Sequence, residues 1–227
     1  MRLISVVMPA LNEAPNIGNT VSRIPVEELA FQGFDTEILV VDNGSVDGTD
    51  GLARAAGARV VVERQRGYGN AYRKGFEEAR GEIICTMDSD GTYPAEVLPA
   101  LISKLIDEDL DFINTNRFTF MTNGVMSKRN KLGNALLTRA TQALFRFPFQ
   151  DSQSGMWVFR AELLGKMRLQ ARGMALSQEI KIEAVSRLRA RCAEVPIHYG
   201  YRQGSSKLRV WRDGAGNFVH LLRSRLS

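Results

Sequence analysis

The chain has 227 residues, 44% hydrophobic and 24% charged, with a formal net charge of +5 and two cysteines. That is enough apolar material for one well-packed core and rather little for two. Cys85 and Cys192 are far apart and suit neither a disulfide framework nor a zinc site, which points to a reducing, cytoplasmic setting. No apolar run approaches the roughly 20 residues needed to span a bilayer, and Leu3 to Met8 is too short for a signal-peptide core, so the chain is not expected to cross a membrane by itself.

Short β-rich runs alternate with helical stretches along the first half. Leu3 to Met8 predicts a strand, Ala14 to Ile24 a helix and Glu37 to Val41 a second strand. Ala58 to Val62 predicts a third strand before a helix near Tyr68 to Ala79. Glu82 to Met87 then reads as a strand, Ala95 to Asp107 as a helix and Leu110 to Asn114 as a strand. This order predicts an α/β fold with a mostly parallel, doubly wound sheet and helices on both faces. Asp47 before Gly48-Thr49 and Pro94 are helix-entry signals. Beyond Phe118 the strand signal fades: Gly124 to Phe145 is mainly helical, Met156 to Phe159 reads as a strand, and Ser177 to Ala190 as a second long helix. The loop from Phe118 to Val125 is expected to be the flexible element.

Polar residues gather where strands end, which is where such sheets present ligands. Asp88-Ser89-Asp90 follows the fourth strand and stops at Gly91, placing two carboxylates one residue apart as hard oxygen ligands for Mg²⁺ or Mn²⁺. Pro9-Ala10-Leu11-Asn12-Glu13 follows the first strand and Asp42-Asn43-Gly44-Ser45-Val46-Asp47-Gly48-Thr49 the second, so the three segments can share one cleft. Asp42 can accept hydrogen bonds from a base or ribose, and Glu13 can hold a neighbouring edge. For Asp47, Asx-turn and capping chemistry is the preferred role.

Gly67-Tyr68-Gly69-Asn70-Ala71 opens a helix, yet it is no dinucleotide fingerprint, because Tyr72 occupies the third-glycine position. Hydride transfer is therefore disfavoured, and the missing Walker pattern argues against a P-loop nucleotidase. The basic segments lack regularly interleaved aromatics, so no nucleic-acid partner is expected.

Together, Pro9 to Glu13, Val41 to Thr49, Gly67 to Ala71 and Asp88 to Asp90 make the chain resemble family-two glycosyltransferases of the GT-A fold over about residues 2 to 210. Through Asn116-Arg117, Asp151-Ser152-Gln153-Ser154-Gly155 and Tyr201 to Leu208 it is most similar to the dolichol-phosphate or polyprenol-phosphate transferases. The resemblance implies one glycosyltransferase domain over 1–227, with a nucleotide-sugar-binding half at 1–116, an acceptor-binding half at 117–210 and a basic amphipathic tail at 211–227. It implies an inverting hexosyl transfer from a UDP- or GDP-sugar to a polyprenyl phosphate, a glycan or other hydroxyl acceptor being the alternative. A noncatalytic sugar-nucleotide-binding subunit or scaffold is a further one.

In that reading Pro9, Leu11, Glu13 and Asp42 line the nucleoside pocket, Ser89 touches the donor, and Asp88 and Asp90 hold the metal, Asp90 counting as catalytic. Arg117, Arg202 and Lys207 contact donor or acceptor phosphates, and Arg129 the acceptor phosphate. Asp151 is the carboxylate beside the acceptor, a general base for a hydroxyl or an orienting group for a phosphate. Relatives often carry Gln two residues past the metal motif, where this chain has Thr92.

The charge is unevenly spread: residues 117–146 hold six basic and no acidic residues, and residues 187–225 nine basic and two acidic. Leu132, Leu136, Ala140 and Leu144 recur at helical spacing beside several cations, and Phe218, Leu221, Leu222 and Leu226 accompany Arg223 and Arg225. Both stretches are candidate interfacial helices, with core-covering helices as the alternative. Many polyprenol-phosphate relatives end in membrane helices. Here attachment at the cytoplasmic face is expected to be peripheral, on the lipid surface or through a membrane partner protein.

Overall fold

A computed structural model of the chain describes residues 2–122, 124–202 and 210–226. Its centre is a seven-stranded sheet in the order β3-β2-β1-β4-β6-β5-β7. The strands are β1 (Arg2–Ala10), β2 (Phe34–Asp42), β3 (Arg59–Val62), β4 (Ile83–Thr86), β5 (Phe112–Asn116), β6 (Trp157–Arg160) and β7 (Cys192–Pro196). All neighbouring pairs are parallel except those of β6, which runs antiparallel to both β4 and β5.

Strand alternation explains the two cores. Ile4, Val6 and Met8 of β1 face α1 (Ala14–Ser22), α2 (Val26–Phe31), α3 (Thr49–Ala55) and α5 (Leu98–Asp107), burying Ile17, Leu29, Ala53 and Leu101. Val7 points the other way, with Leu39 and Val41, onto α4 (Tyr68–Glu78) and α7 (Leu176–Ile182). Strands buried on both faces read as continuous apolar runs, which is why β1 and β2 are visible in the sequence.

The second half departs from expectation in two places. The helix predicted over Ser177 to Ala190 is shorter: α7 ends at Ile182 and gives way to a π-type turn over Glu183–Arg187. The chain then forms β7, a strand the sequence reading did not identify. The long α6 (Lys128–Phe145) is capped by the Ser127 hydroxyl, which accepts the Asn130 N–H. Helix α8 (Val210–Leu226) lies against α6 and α7. Among the described residues, no helix is long and apolar enough to cross a membrane.

Candidate active site

The carboxyl ends of β1, β2 and β4 converge on one cleft. The turn after β1 is tied to the turn after β2: Asn12 N–H donates to Ser45 Oγ at 2.9 Å, Val46 N–H to Asn12 Oδ1 at 2.9 Å, and Glu13 N–H to Thr49 Oγ1 at 2.8 Å. Asp47 takes the capping role its position predicts, accepting the N–H groups of Ala14 and Thr49, the first residues of α1 and α3. Ser89 joins the β4 turn to β1 by donating to the Pro9 carbonyl at 2.8 Å.

A cavity of about 220 Å³ opens between these turns, lined by Pro9, Leu11, Glu13, Ser89 and both aspartates, with Tyr68 and Met174 on the far wall. The glycines at the start of α4 allow this wall to close. A Cβ on Gly69 would lie 2.3 Å from the Ala171 carbonyl oxygen, so glycine alone lets the 171–175 loop sit against the helix. Asp42 is placed differently from expectation. Its side chain is buried and accepts the Ser45 N–H at 3.2 Å, while the next residue, Asn43, lines the cavity.

The two aspartates are held by different partners. Asp88 Oδ1 accepts the Tyr68 hydroxyl at 3.1 Å; burial, reinforced by the nearby Asp90 charge, pushes the Asp88 carboxyl up to about 7. Asp90 Oδ1 accepts both the N–H and the hydroxyl of Thr92, at 3.1 and 2.6 Å. Thr92 thus fixes the rotamer of Asp90. The other oxygen, Oδ2, meets Arg202 Nη1 at 3.0 Å, and Arg202 Nη2 reaches Glu13 Oε1 at 2.8 Å.

These donors fit a divalent cation. A guanidinium already stands against Asp90 as a surrogate positive charge, and two carboxylates suffice for Mg²⁺ or Mn²⁺ when substrate phosphates complete the shell. No cluster of three or more His, Cys, Asp or Glu side chains placed to hold a metal ion occurs among the described residues.

A second cavity, about 270 Å³, adjoins the first on the side of α6 and α8 and shares Asp88, Asp90, Met174 and Arg202 with it. Its remaining polar walls include Arg117, Asn130, Gln153 and Asn217. Arg117 therefore faces this second space and is absent from the lining of the first. Its guanidinium lies 5.4 Å from the Tyr199 ring centre and forms a two-pronged pair with Asp151, Nε to Oδ2 at 2.7 Å and Nη2 to Oδ1 at 2.9 Å.

That pairing departs from the expectation of an acceptor-facing Asp151. The side chain is fully buried, lines neither cavity and also accepts the N–H groups of Arg117 and Gln153. Burial alone would raise the carboxyl; the charge and hydrogen bonds of Arg117 outweigh it and hold Asp151 below the usual carboxylate range. A carboxylate so held is a poor base. Arg129 is exposed on the first turn of α6 and lines neither cavity, whereas its neighbour Asn130 does. Lys207 lies outside the described residues. Tyr68, Asn43, Met174 and Tyr199 join the site without having been singled out. Asn43 and Tyr68 lie in segments the sequence marks, after β2 and at the head of α4, whereas Met174 and Tyr199 arrive through long-range packing.

Both the fold and the sequence match known proteins. Across 99% of the chain, the fold matches glucosyl-3-phosphoglycerate synthase from Mycobacterium tuberculosis in complex with Mn²⁺, UDP and phosphoglyceric acid, with a TM-score of 0.78, 26% identity and 78% of that chain covered. The fold is that of GT-A glycosyltransferases. In sequence, the dolichyl-phosphate hexose transferase of Haloferax volcanii is 32% identical over 212 residues, covering 93% of this chain and 89% of that protein. Glycosyltransferase AglJ of the same organism is 32% identical over 223 residues, covering 97% and 71%. The dolichol-phosphate mannosyltransferase of Pyrococcus furiosus is 29% identical over 223 residues, but this chain spans only 59% of its length. The profile of glycosyl transferase family 2 matches residues 5–168, and the chain belongs to that family. It is a glycosyltransferase.

Proposed function

We propose that the chain transfers a hexose from a UDP- or GDP-sugar to the phosphate of a polyprenyl phosphate, with inversion at the anomeric carbon. The donor cavity would take the nucleoside between Pro9, Leu11 and Glu13. Asp88 and Asp90 would hold Mg²⁺ or Mn²⁺, which when bound neutralises charge on the departing nucleoside diphosphate. An acceptor oxygen attacks the anomeric carbon as the bond to the donor phosphate breaks, and the electron pair leaves with the diphosphate.

The observation that carries this reading is the state of the acceptor-side cavity. Among the described residues, its carboxylates are Asp88 and Asp90 alone, while Asp151 is committed to Arg117. A hydroxyl acceptor needs a base, whereas a lipid phosphate is already anionic at neutral pH and needs a cation to orient it. Arg117 is such a cation, pre-set by Asp151 and stacked near Tyr199. The names of the dolichyl-phosphate relatives agree with this acceptor class.

The exposed apolar residues support the proposed location. Leu132 and Leu136 of α6 and Phe218 and Leu222 of α8 are exposed beside Lys128, Arg129, Arg223 and Arg225. Leu221, expected on the same face, is fully buried and belongs to the packing of α8 on the body. This surface suits peripheral attachment to an anionic cytoplasmic leaflet.

A second reading, transfer to the hydroxyl of a small phosphorylated acid, is favoured by the match to a synthase solved with phosphoglyceric acid. Purified protein would be given labelled UDP- and GDP-hexoses with prenyl phosphate, the matching prenol and 3-phosphoglycerate as acceptors. Transfer to prenyl phosphate alone is expected. Equal use of prenol would defeat the phosphate argument, and transfer only to phosphoglycerate would establish the second reading.

A further inference from the structure

Lys181 on α7 is fully buried and lines neither cavity. Burying an ammonium is costly unless its donors are satisfied. Three oxygens meet it: the carbonyls of Ser152 at 2.8 Å and Ser154 at 2.7 Å, and the Ser177 hydroxyl at 3.3 Å. Its nitrogen also stands 5.4 Å from the centre of the Trp157 ring. Burial draws its pKa well below that of an ordinary lysine, and the Asp151 charge pulls the other way. Its two shortest bonds run to backbone carbonyls, which can only accept, so the nitrogen donates to both.

Two of those oxygens belong to the segment 151–155, which links the two halves of the site. At one end Asp151 grips Arg117. At the other, Gly155 N–H donates to the Tyr93 hydroxyl at 2.6 Å and its carbonyl accepts from Thr86 Oγ1 at 3.0 Å; a Cβ there would stand 3.2 Å from Asp88 Oδ1. Other anchors hold single points of the segment: the Glu194 carboxylate accepts the Asp151 N–H at 3.0 Å, Trp157 Nε1 and the Ser177 hydroxyl donate to the Ser154 carbonyl at 2.6 and 2.8 Å, and hydroxyl pairs join Thr138 to Ser152 at 2.9 Å and Thr115 to Ser154 at 2.7 Å. The lysine differs from them in holding the carbonyls of Ser152 and Ser154, one on each side of Gln153, with a single nitrogen.

We propose that Lys181 is a positioning residue for the transfer reaction: by gathering the carbonyls on either side of Gln153, it sets where Asp151 places Arg117 relative to Asp88. It touches no substrate itself. The inference rests on the acceptor reading proposed above.

The test compares wild type with Lys181→Met, which removes the donors at similar volume, and Lys181→Gln, which keeps two N–H donors without charge. Three quantities are read: affinity for UDP and GDP with Mn²⁺, the KM for prenyl phosphate, and hydrogen exchange of the 151–155 amides. The nucleotide affinity is expected to stay at the wild-type value. The acceptor KM should rise by about tenfold to a hundredfold in Lys181→Met, the scale of a lost charged hydrogen bond, with Lys181→Gln in between. Exchange should quicken over 151–155 and remain unchanged in the donor turns.

An unchanged KM, unchanged exchange, or an equal loss of nucleotide affinity would overturn the positioning role. Failure of both variants to fold would do the same, making Lys181 a determinant of folding. If wild type transfers no sugar to prenyl phosphate, the proposed function fails, and the exchange measurement alone still decides the role of Lys181.

Discussion

Arg202 and Asp90 form an ion pair of 3.0 Å, and the same guanidinium reaches Glu13 at 2.8 Å. One partly exposed cation thereby joins the turn after β1 to the turn after β4, across the mouth of the donor cavity. It also occupies the Asp90 oxygen that Thr92 leaves open. A metal ion held by Asp88 and Asp90 would therefore have to displace Arg202 from Asp90, and a bound diphosphate would offer the guanidinium another partner. Arg202→Gln should bind Mn²⁺ alone more tightly than wild type and UDP or GDP with Mn²⁺ more weakly. Titration by electron paramagnetic resonance reads the first effect and calorimetry the second; weaker binding of Mn²⁺ alone would remove the competition from the account.

Asp88→Asn and Asp90→Asn keep size and hydrogen-bonding shape while removing charge. Each should fold normally, because Tyr68 and Thr92 can still donate to an amide oxygen. Transfer should fall by about a hundredfold or more, since a metal's charge stabilisation amounts to several kcal/mol. Near-normal turnover by either variant at limiting metal would show that the motif does not carry a catalytic ion.

Asp151→Asn leaves Arg117 buried without a counter-charge, a loss of about 3–5 kcal/mol for a broken buried pair. The pH dependence has a definite sign. The folded carboxyl titrates below its unfolded value, so its stabilisation is complete above about pH 4 and disappears as pH falls through the folded value. Wild type should lose thermal stability in that acid range, and the variant, already destabilised at neutral pH, should lose less on further acidification. Parallel curves for the two proteins would place the acid sensitivity elsewhere.

The exposed face of α8 predicts binding to anionic vesicles. High salt should release the protein, because surface attraction is screened over about 10 Å at ~0.1 M ionic strength. Replacing Arg223 and Arg225 with Gln should weaken flotation and leave UDP or GDP affinity intact, as neither residue lines the donor cavity. Unchanged flotation of the double variant would shift the contact to α6, and no flotation of wild type would indicate recruitment by a partner.

The parts legible in the sequence were those set by local pattern. β1, β2 and β4 are apolar runs long enough to stand out, and Asp88 and Asp90 declare themselves by following one of them. α2 escaped notice because it has only six residues, and β7 because its run Cys-Ala-Glu-Val-Pro is short, carries a glutamate and ends in proline. The partners of the site residues were less legible still. Asp151 and Arg117 are 34 positions apart, and only the fold brings a buried carboxylate and a guanidinium together. Met174 and Tyr199 are ordinary apolar residues in sequence, and their place in the walls depends on how distant loops pack.

The reversed direction of β6 has a consequence for how the chain can vary. β5 leaves the sheet at Asn116 and β6 returns beside it, with Asn114 opposite Trp157 and the Thr115 N–H donating to the Met156 carbonyl. The whole stretch 117–156 is thus an excursion whose two ends meet on neighbouring interior strands of the sheet. Its length and shape can change ahead of residue 151 without breaking a strand pairing, provided the 151–155 segment that packs beside Asp88 is kept. A chimera that exchanges residues 117–150 for the corresponding stretch of another family member would test whether this excursion sets acceptor preference.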